Sequence, residues 1–437
     1  MNKRIAQIKD DISSAKGTPT DVSVYLIERY SPNLLFGLPD DLFSFIIIEF
    51  LTMTDICFLD TSINNVYYRR QFLECIGFGI TLKGFTIYNR MTSVSCFNWM
   101  LLRRIDVESL WFVKNFFNTT NIHNLNSNQI CHGISDCCPN INKLDLSHLN
   151  VDDQSLIIFT NNCLKIKIIN ISNCKQLTSL SLIALGKLHL NYINAQMCDL
   201  LFSDIDLNLF KECFLFLQKI DLSFIVINNE NCFIHFFKCC GNTLQILNIN
   251  HCNGLSEVIF INMIRCLPYI WCLNVRHCHN VTDLALIEMT NYCKFLNQLD
   301  VSNCQLITDE SIIVISNTYE NLLHLVVTNT AITELSLLAI AENCIHIEIL
   351  LSTICTDKVI FAIAKHCKSI RILNFSISDH SEDCLIQLLM SCPLLNLNRI
   401  RVHDSCSMGY NDLSIILLMK RCDPYEKIWM PLVNIIF

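Results

Sequence analysis

Charge is scarce in this chain. Only 16% of its 437 residues are Asp, Glu, Lys or Arg, against about a quarter in ordinary soluble domains. Glycine and proline are scarcer still, at 10 and 8 residues, which excludes collagen-like and Gly/Ser-linker architectures. Long hydrophobic runs are missing too, although 51% of residues are apolar and mean hydropathy is +0.37. A membrane-spanning helix needs about 20 consecutive apolar residues. Here Phe43 to Ile48 stops at Glu49, Leu385 to Leu397 is broken by Gln387, Ser391, Pro393 and Asn396, and Leu432 to Phe437 is too short. No membrane partner is expected. Basic runs are absent and net charge is −8, so the basic face of a nucleic-acid binder is not expected either. The mixed N-terminus, Met1 to Asp11, lacks the apolar core of a secretory signal. An intracellular location, cytoplasmic and/or nuclear, is expected. High apolarity with little charge excludes a disordered chain.

What the chain has in excess is cysteine, with 26 residues. A disulfide framework suits short secreted chains rather than this one. Zinc sites want four ligands at defined spacings. There is no C-x-x-C, and the vicinal pairs Cys137–Cys138 and Cys239–Cys240 are not ligand spacing. His277-Cys278-His279 comes nearest to a cluster. No metal and no cofactor are expected, and most cysteines are taken as small buried apolar residues. Catalytic signatures are also missing: no H-E-x-x-H, no G-x-x-x-x-G-K-[ST], no G-x-S-x-G. No catalytic residue is assigned, and a non-enzyme is expected.

The cysteines keep a register. Cys240, Cys266, Cys293, Cys344, Cys367 and Cys392 recur about every 23 to 27 residues. The interval from Cys293 to Cys344 is double, with Tyr319 at the vacant mark. Cys138, Cys163 and Cys213 continue the series upstream. After each mark the same apolar frame follows. One copy runs Leu296, Leu299, Val301, Cys304, Ile307, Thr308, Asp309, and the preceding one runs Ile270, Leu273, Val275, Cys278, Val281, Thr282, Asp283. The last two apolar residues before the second cysteine alternate with polar ones, which predicts a strand. The Thr-Asp pair predicts a helix start, because a side-chain oxygen there can cap free backbone N–H groups.

These residues resemble the cysteine-containing class of leucine-rich repeat, in which the turn cysteine (here Cys174, Cys198, Cys252, Cys278, Cys304, Cys355) stands where other classes place Asn. The resemblance implies an α/β leucine-rich-repeat solenoid, a curved parallel sheet with outer helices. About eleven repeats are expected over 138–421. A C-terminal cap is expected over 422–437, and a linker with irregular first repeats over 77–137, where Val107 to Asn115 already fits the frame. The residue between the two strand apolars is read as facing the inner side: Asp145, Asn170, Asn194, Asp221, Asn248, Asn274, Asp300, Val326, Leu351, Asn374 and Arg401. Short polar side chains here are read as bonding along the sheet. The departures stand out as candidates for substrate binding: Trp271, Arg276 and His277 on one repeat with His251 one strand back, and Arg399, Arg401 and His403 further on. Exposed Trp and Arg are enriched at binding hot spots.

Residues 31–76 do not fit the repeat, and residues 1–30 are read as an N-terminal tail. Pro39 followed by two acids suits a first helical turn. Leu42, Ile46 and Phe50 form a stripe on one helix face, and Thr54-Asp55 begins a second helix carrying Ile56 and Leu59. Leu38-Pro39, Asp41-Leu42, Ile46 or Ile47, Phe50-Leu51, Asp55-Ile56, Leu59 and Ser62 resemble an F-box, a small three-helix module. The family usually carries a Trp just after the third helix begins, where this chain has Val66-Tyr67-Tyr68. By that resemblance, Leu38, Pro39, Leu42, Ile46, Phe50 and Leu51 would dock on the Skp-type adaptor of a cullin–RING ubiquitin ligase, with the repeats holding a protein substrate. The alternative is a repeat scaffold with no ligase role.

Overall fold

An L-x-x-L-x-L strand cannot bury its apolar residues alone. The helix that follows covers them on one side, and neighbouring copies close the flanks. The computed structural model describes residues 56–57, 60, 63, 69–70, 72–73, 82, 85–87, 99–112, 127–149, 151–203, 213–374 and 380–396. The expected N-terminal tail, the residues Leu38, Pro39, Leu42, Ile46, Phe50 and Leu51 expected to dock on an adaptor, the candidates Arg399, Arg401 and His403, and the expected C-terminal cap lie outside them. The chain divides into two compact units between Leu190 and Asn191.

In the N-terminal unit four described strands pair in parallel and in chain order: β1 (Phe85–Ile87), β2 (Ser109–Phe112), β3 (Lys143–Asp145) and β4 (Ile168–Asn170). Among the described residues parallel pairing reaches back to the bridge between Leu82 and Val107, ahead of the frame read from Val107 to Asn115. Helices α1 (Ser127–Cys137), α2 (Asp153–Asn162) and α3 (Ser179–Gly186) pack side by side. Upstream, the helical residues Ile56 and Phe72 are buried. Asp60 lies between them in sequence with its side chain wholly buried. Its carboxylate accepts from Arg69 Nε at 2.7 Å, from Trp99 Nε1 at 2.7 Å and from Arg103 Nη2 at 3.5 Å. One acid thus ties the helical N-terminal segment to the turn of helix, residues 99–103, that leads into β2.

The C-terminal unit repeats the scheme with eight strands among its described residues, in consecutive parallel pairs. They are β5 (Tyr192–Asn194), β6 (Lys219–Asp221), β7 (Ile246–Asn248), β8 (Cys272–Asn274), β9 (Gln298–Asp300), β10 (His324–Val326), β11 (Ile349–Leu351) and β12 (Ile372–Leu373). Between them run α4 (Glu230–Cys240), α5 (Glu257–Ile264), α6 (Asp283–Tyr292), α7 (Asp309–Thr318), α8 (Glu334–Asn343), α9 (Asp357–His366) and α10 (Glu382–Ser391), each against the next. Register places Ile220, Leu247, Leu273, Leu299, Leu325 and Leu350 in one buried column. Burying each such side chain contributes about 1.5–3 kcal/mol.

The Thr-Asp pair divides its labour. Thr308 is the N-cap of α7, its hydroxyl accepting from Glu310 N, and Thr282 caps α6 the same way through Ala285 N. The aspartate after it serves the next repeat instead. Asp283 accepts from the backbone N–H and hydroxyl of Thr308 at 2.9 and 2.6 Å. Asp309 holds Thr333 at 2.8 and 2.6 Å, and also the Ser336 hydroxyl. In the N-terminal unit Asp153 holds Thr178 and Ser181. Each carboxylate staples one helix start to the following turn.

The cysteines staple in the same sense. Turn thiols donate to a strand carbonyl one repeat back: Cys174 to Leu146, Cys252 to Leu222, Cys278 to Ile249 and Cys304 to Val275, all within 3.1–3.2 Å. Cys163, Cys293, Cys344, Cys367 and Cys392 sit at helix C-caps and reach back similarly. Burial pushes the Cys278, Cys293 and Cys304 thiols up to about 12. No disulfide joins the cysteines among the described residues. Strand, turn, capped helix and two buried cysteine positions recur in both units, and each is a length of leucine-rich-repeat solenoid.

Candidate functional site

The strand face carries the polar column expected from the sequence, and it is closed on itself. Asp145, Asp221, Asn248, Asn274 and Asp300 are buried. Each oxygen turns to the backbone N–H two residues on, as Asp221 does to Ser223 and Asp300 to Ser302, both at 2.9 Å. Neighbours link sideways, with Asn248 Nδ2 donating to Asp221 Oδ2 at 2.9 Å and Asn170 to Asp145 at 2.9 Å. Burial pushes the Asp300 carboxyl up, against the hydrogen bonds from Ser302 and the charge of Arg276. This column closes the strand face and offers little to a partner.

The turns after the strands differ. Before the turn cysteines Cys198, Cys252, Cys278 and Cys304 the residue adopts positive φ, at Met197 (57°), His251 (54°), His277 (58°) and Asn303 (61°), as does Phe224 (60°) before Ile225; in the N-terminal unit Asn173 (60°), before Cys174, and His148 (61°), before Leu149, do the same. L-residues adopt this region rarely, Asn and His more readily than others. In the C-terminal unit successive turns are joined N–H to carbonyl: Met197 to Ser223, Phe224 to Asn250, His251 to Arg276 and His277 to Ser302, at 2.8–3.0 Å. Their side chains therefore form a ladder. Phe224 stacks on His251 with centroids 4.6 Å apart, and His251 on His277 at 3.9 Å. His279 meets the His277 ring edge-on at 6.0 Å. Arg276 is exposed beside them, its backbone N–H fixed by Asn274 Oδ1 at 2.9 Å. The His277-Cys278-His279 triplet is split by this geometry. Cys278 points into the core, and no grouping of three metal-ligating side chains occurs among the described residues.

Trp271 lies elsewhere. It precedes β8, whereas Arg276 and His277 follow it, so the strand separates them by roughly 16 Å along the chain. Trp271 is half-buried and belongs with the opposite edge, where the helices return to the strands. That edge exposes Leu215, Phe216, Tyr269 and Phe295, and Tyr269 stacks on Phe295 at 5.9 Å. Between Phe216 and Tyr269 the column holds the small Thr243, leaving a hollow of about 500 Å³ over Gln218 and Gln245. Sequence reasoning brought His251 next to His277 correctly. It named His279 only within a weak candidate cluster and passed over Phe224, Met197 and the Tyr269–Phe295 pair, because neither edge belongs to the strand columns it followed. The recurring Asn before the turn cysteine (Asn173, Asn303) was the available signal for a positive-φ column.

No family model matches the chain, and no curated protein is similar to it in sequence. Among solved structures it is similar to that of the Rad7 and Elc1 complex in yeast, at 15% identity over 93% of this chain and 95% of that one, with a TM-score of 0.49. It is also similar to the leucine-rich repeat-containing protein LegL7 from Legionella pneumophila (12% identity, 78% and 98% covered, TM-score 0.38) and to an internalin from Listeria monocytogenes (14%, 66% and 81%, 0.38). Among the described residues no helix is long and apolar enough to cross a membrane.

Proposed function

We propose that the chain is a non-catalytic substrate receptor of a cullin–RING ubiquitin ligase. In this reading residues 31–76 dock on the Skp-type adaptor through Leu38, Pro39, Leu42, Ile46, Phe50 and Leu51. The leucine-rich repeats over 138–421 then present a protein substrate, and Trp271, Arg276, His277, Arg399, Arg401 and His403 are candidates for contacting it. The buried Asp60 joint carries the reading. A receptor must hold its substrate at a fixed place relative to the adaptor. Asp60 ties the helical segment that follows the Leu38-Pro39 motif to Trp99 and Arg103 at the entrance to the solenoid. The buried cysteines, with thiols raised by desolvation, do not suit nucleophiles, which favours chemistry performed by other subunits.

The test is capture of a purified Skp-type adaptor by the full chain. Changing Leu38 and Pro39 together to Ala is expected to abolish capture while leaving thermal unfolding of the solenoid unchanged. Undiminished capture by that variant would count against the docking assignment. Absence of capture by the unaltered chain would favour a repeat scaffold without a ligase role.

A further inference from the structure

We propose that the turn ladder Met197–Phe224–His251–His277, with Arg276 and His279 beside it, is the docking site for an extended acidic peptide segment of the protein partner, one that carries an apolar anchor residue among its carboxylates. This deepens the receptor reading and rests on it for the partner being a substrate.

Three observations point to this occupant. The first is placement. Met197 and Phe224 are 43% and 41% exposed, at a backbone position where Asn stands in other repeats. A Met or Phe with positive φ is strained where Asn would not be. The chain tolerates that strain and so keeps an apolar step at one end of the ladder. The second is charge. On the face position that holds Ser, Asn, Gln or Thr in the other described repeats, this repeat holds Arg276. Among the described residues no hydrogen bond or ion pair engages its guanidinium or the ring nitrogens of His251, His277 and His279. The third is span. Four turns spaced about 4.8 Å apart cover roughly 14 Å, the length of about four residues of extended chain.

The electrostatics agree. Burial lowers the proton affinity of His251, and the charges of Arg276 and His279 lower it further. His277 is lowered by burial, then by His251, Arg276 and His279. The acids of the adjoining turns, Asp221 and Asp300, are buried and turned onto Ser223 and Ser302. The rings therefore sit in a local positive field that an incoming carboxylate would relieve. Binding then draws protons onto the histidines, so affinity rises as pH falls toward 6 while a Glu-rich peptide stays ionised. A single strand of nucleic acid would also stack on such rings, but the chain's net charge of −8 disfavours it.

The probe is a fluorescein-labelled eight-residue Glu peptide with one central Phe, titrated with the full chain and read by anisotropy. Its Gln counterpart is expected to bind at least about tenfold more weakly. The double variant Arg276→Ala/His277→Asn is expected to lose about tenfold as well, and it should fold, because Asn already occupies this position at Asn303. Affinity should be several-fold higher at pH 6 than at pH 7.5 and should fall with salt. The proposal is overturned if the Glu peptide does not bind, if the Gln peptide binds equally, if the double variant keeps full affinity, or if a poly(dA) oligonucleotide is preferred. Adaptor capture is scored separately. A chain that captures adaptor but ignores the peptide sinks only the docking proposal, and the converse sinks only the ligase reading.

Discussion

Replacing Asp60 with Ala lowers the stability of the N-terminal unit by about 3 kcal/mol. Removing one partner of a buried ion pair typically costs about 3–5 kcal/mol. The lower end applies because Arg69 and Arg103 remain 39% and 38% exposed and regain water when released. The indole N–H of buried Trp99 has no such recourse. Asp60→Asn keeps an acceptor for Trp99 and should cost about 1–2 kcal/mol. The pH dependence has a definite sign. Burial pushes the Asp60 carboxyl up, but the hydrogen bonds from Arg69 and Trp99 and the charges of Arg69 and Arg103 outweigh it and hold it below its ordinary 3.8. A carboxyl lowered by folding stabilises above its unfolded value and loses that contribution as pH falls through the folded one. The wild-type advantage over Asp60→Asn should therefore hold at neutral pH and fade below about pH 4. Urea unfolding followed by Trp fluorescence measures this. Equal midpoints for wild type and Asp60→Ala at pH 7 would remove the joint from the account.

Phe236→Ala should cost the C-terminal unit about 3–5 kcal/mol. Its ring is wholly buried in an aromatic cluster on α4 and the preceding repeat. It meets Phe202, Phe214 and Phe237 edge-on with centroids 5.6, 5.0 and 5.2 Å apart, and Phe202 also meets Phe233 at 5.0 Å. Edge-to-face pairs add about 0.5–1.5 kcal/mol each to area burial. The four rings that remain are themselves buried, with Phe202 and Phe237 both held by Phe233, and cannot collapse readily into the space left, so the cavity cost is retained. In a solenoid each repeat is held by its neighbours, and a cavity in one copy loosens the coupling between the two sides. Denaturant unfolding should move to lower midpoint and also become shallower, because the slope reports the surface exposed in one cooperative step. Phe236→Leu should recover most of the loss. A midpoint within error of wild type for the Ala variant would show that the cluster does not carry the unit.

The repeat was legible because its core chemistry hardly varies. Leu273, Leu299 and Leu325 hold one column, and Cys278 and Cys304 another, so their period shows without coordinates. The Thr-Asp pair was legible as a helix start, and Thr282 and Thr308 do cap. What the aspartate does was not legible, because Asp283 and Asp309 bond the repeat after their own. The candidate surfaces were less legible for a related reason. His251 and His277 drew notice as departures, but their stacking depends on a positive-φ turn that brings side chains 26 residues apart to 3.9 Å. Trp271 looked like their neighbour because the sequence numbers are close. An extended strand turns that closeness into distance, since it carries Trp271 and Arg276 to opposite edges of the sheet.

These edges give the receptor reading a physical form: a closed strand face between an aromatic edge at Tyr269–Phe295 and a cationic, partly apolar ladder at Phe224–His277. The measurement that bears on it most directly is native affinity purification of the tagged full chain followed by mass spectrometry. The account predicts that a Skp-type adaptor and a cullin co-purify in near-stoichiometric amounts and are lost together when Leu38 and Pro39 are changed to Ala. Recovery of the chain with neither subunit, or with both unaffected by that change, would contradict it.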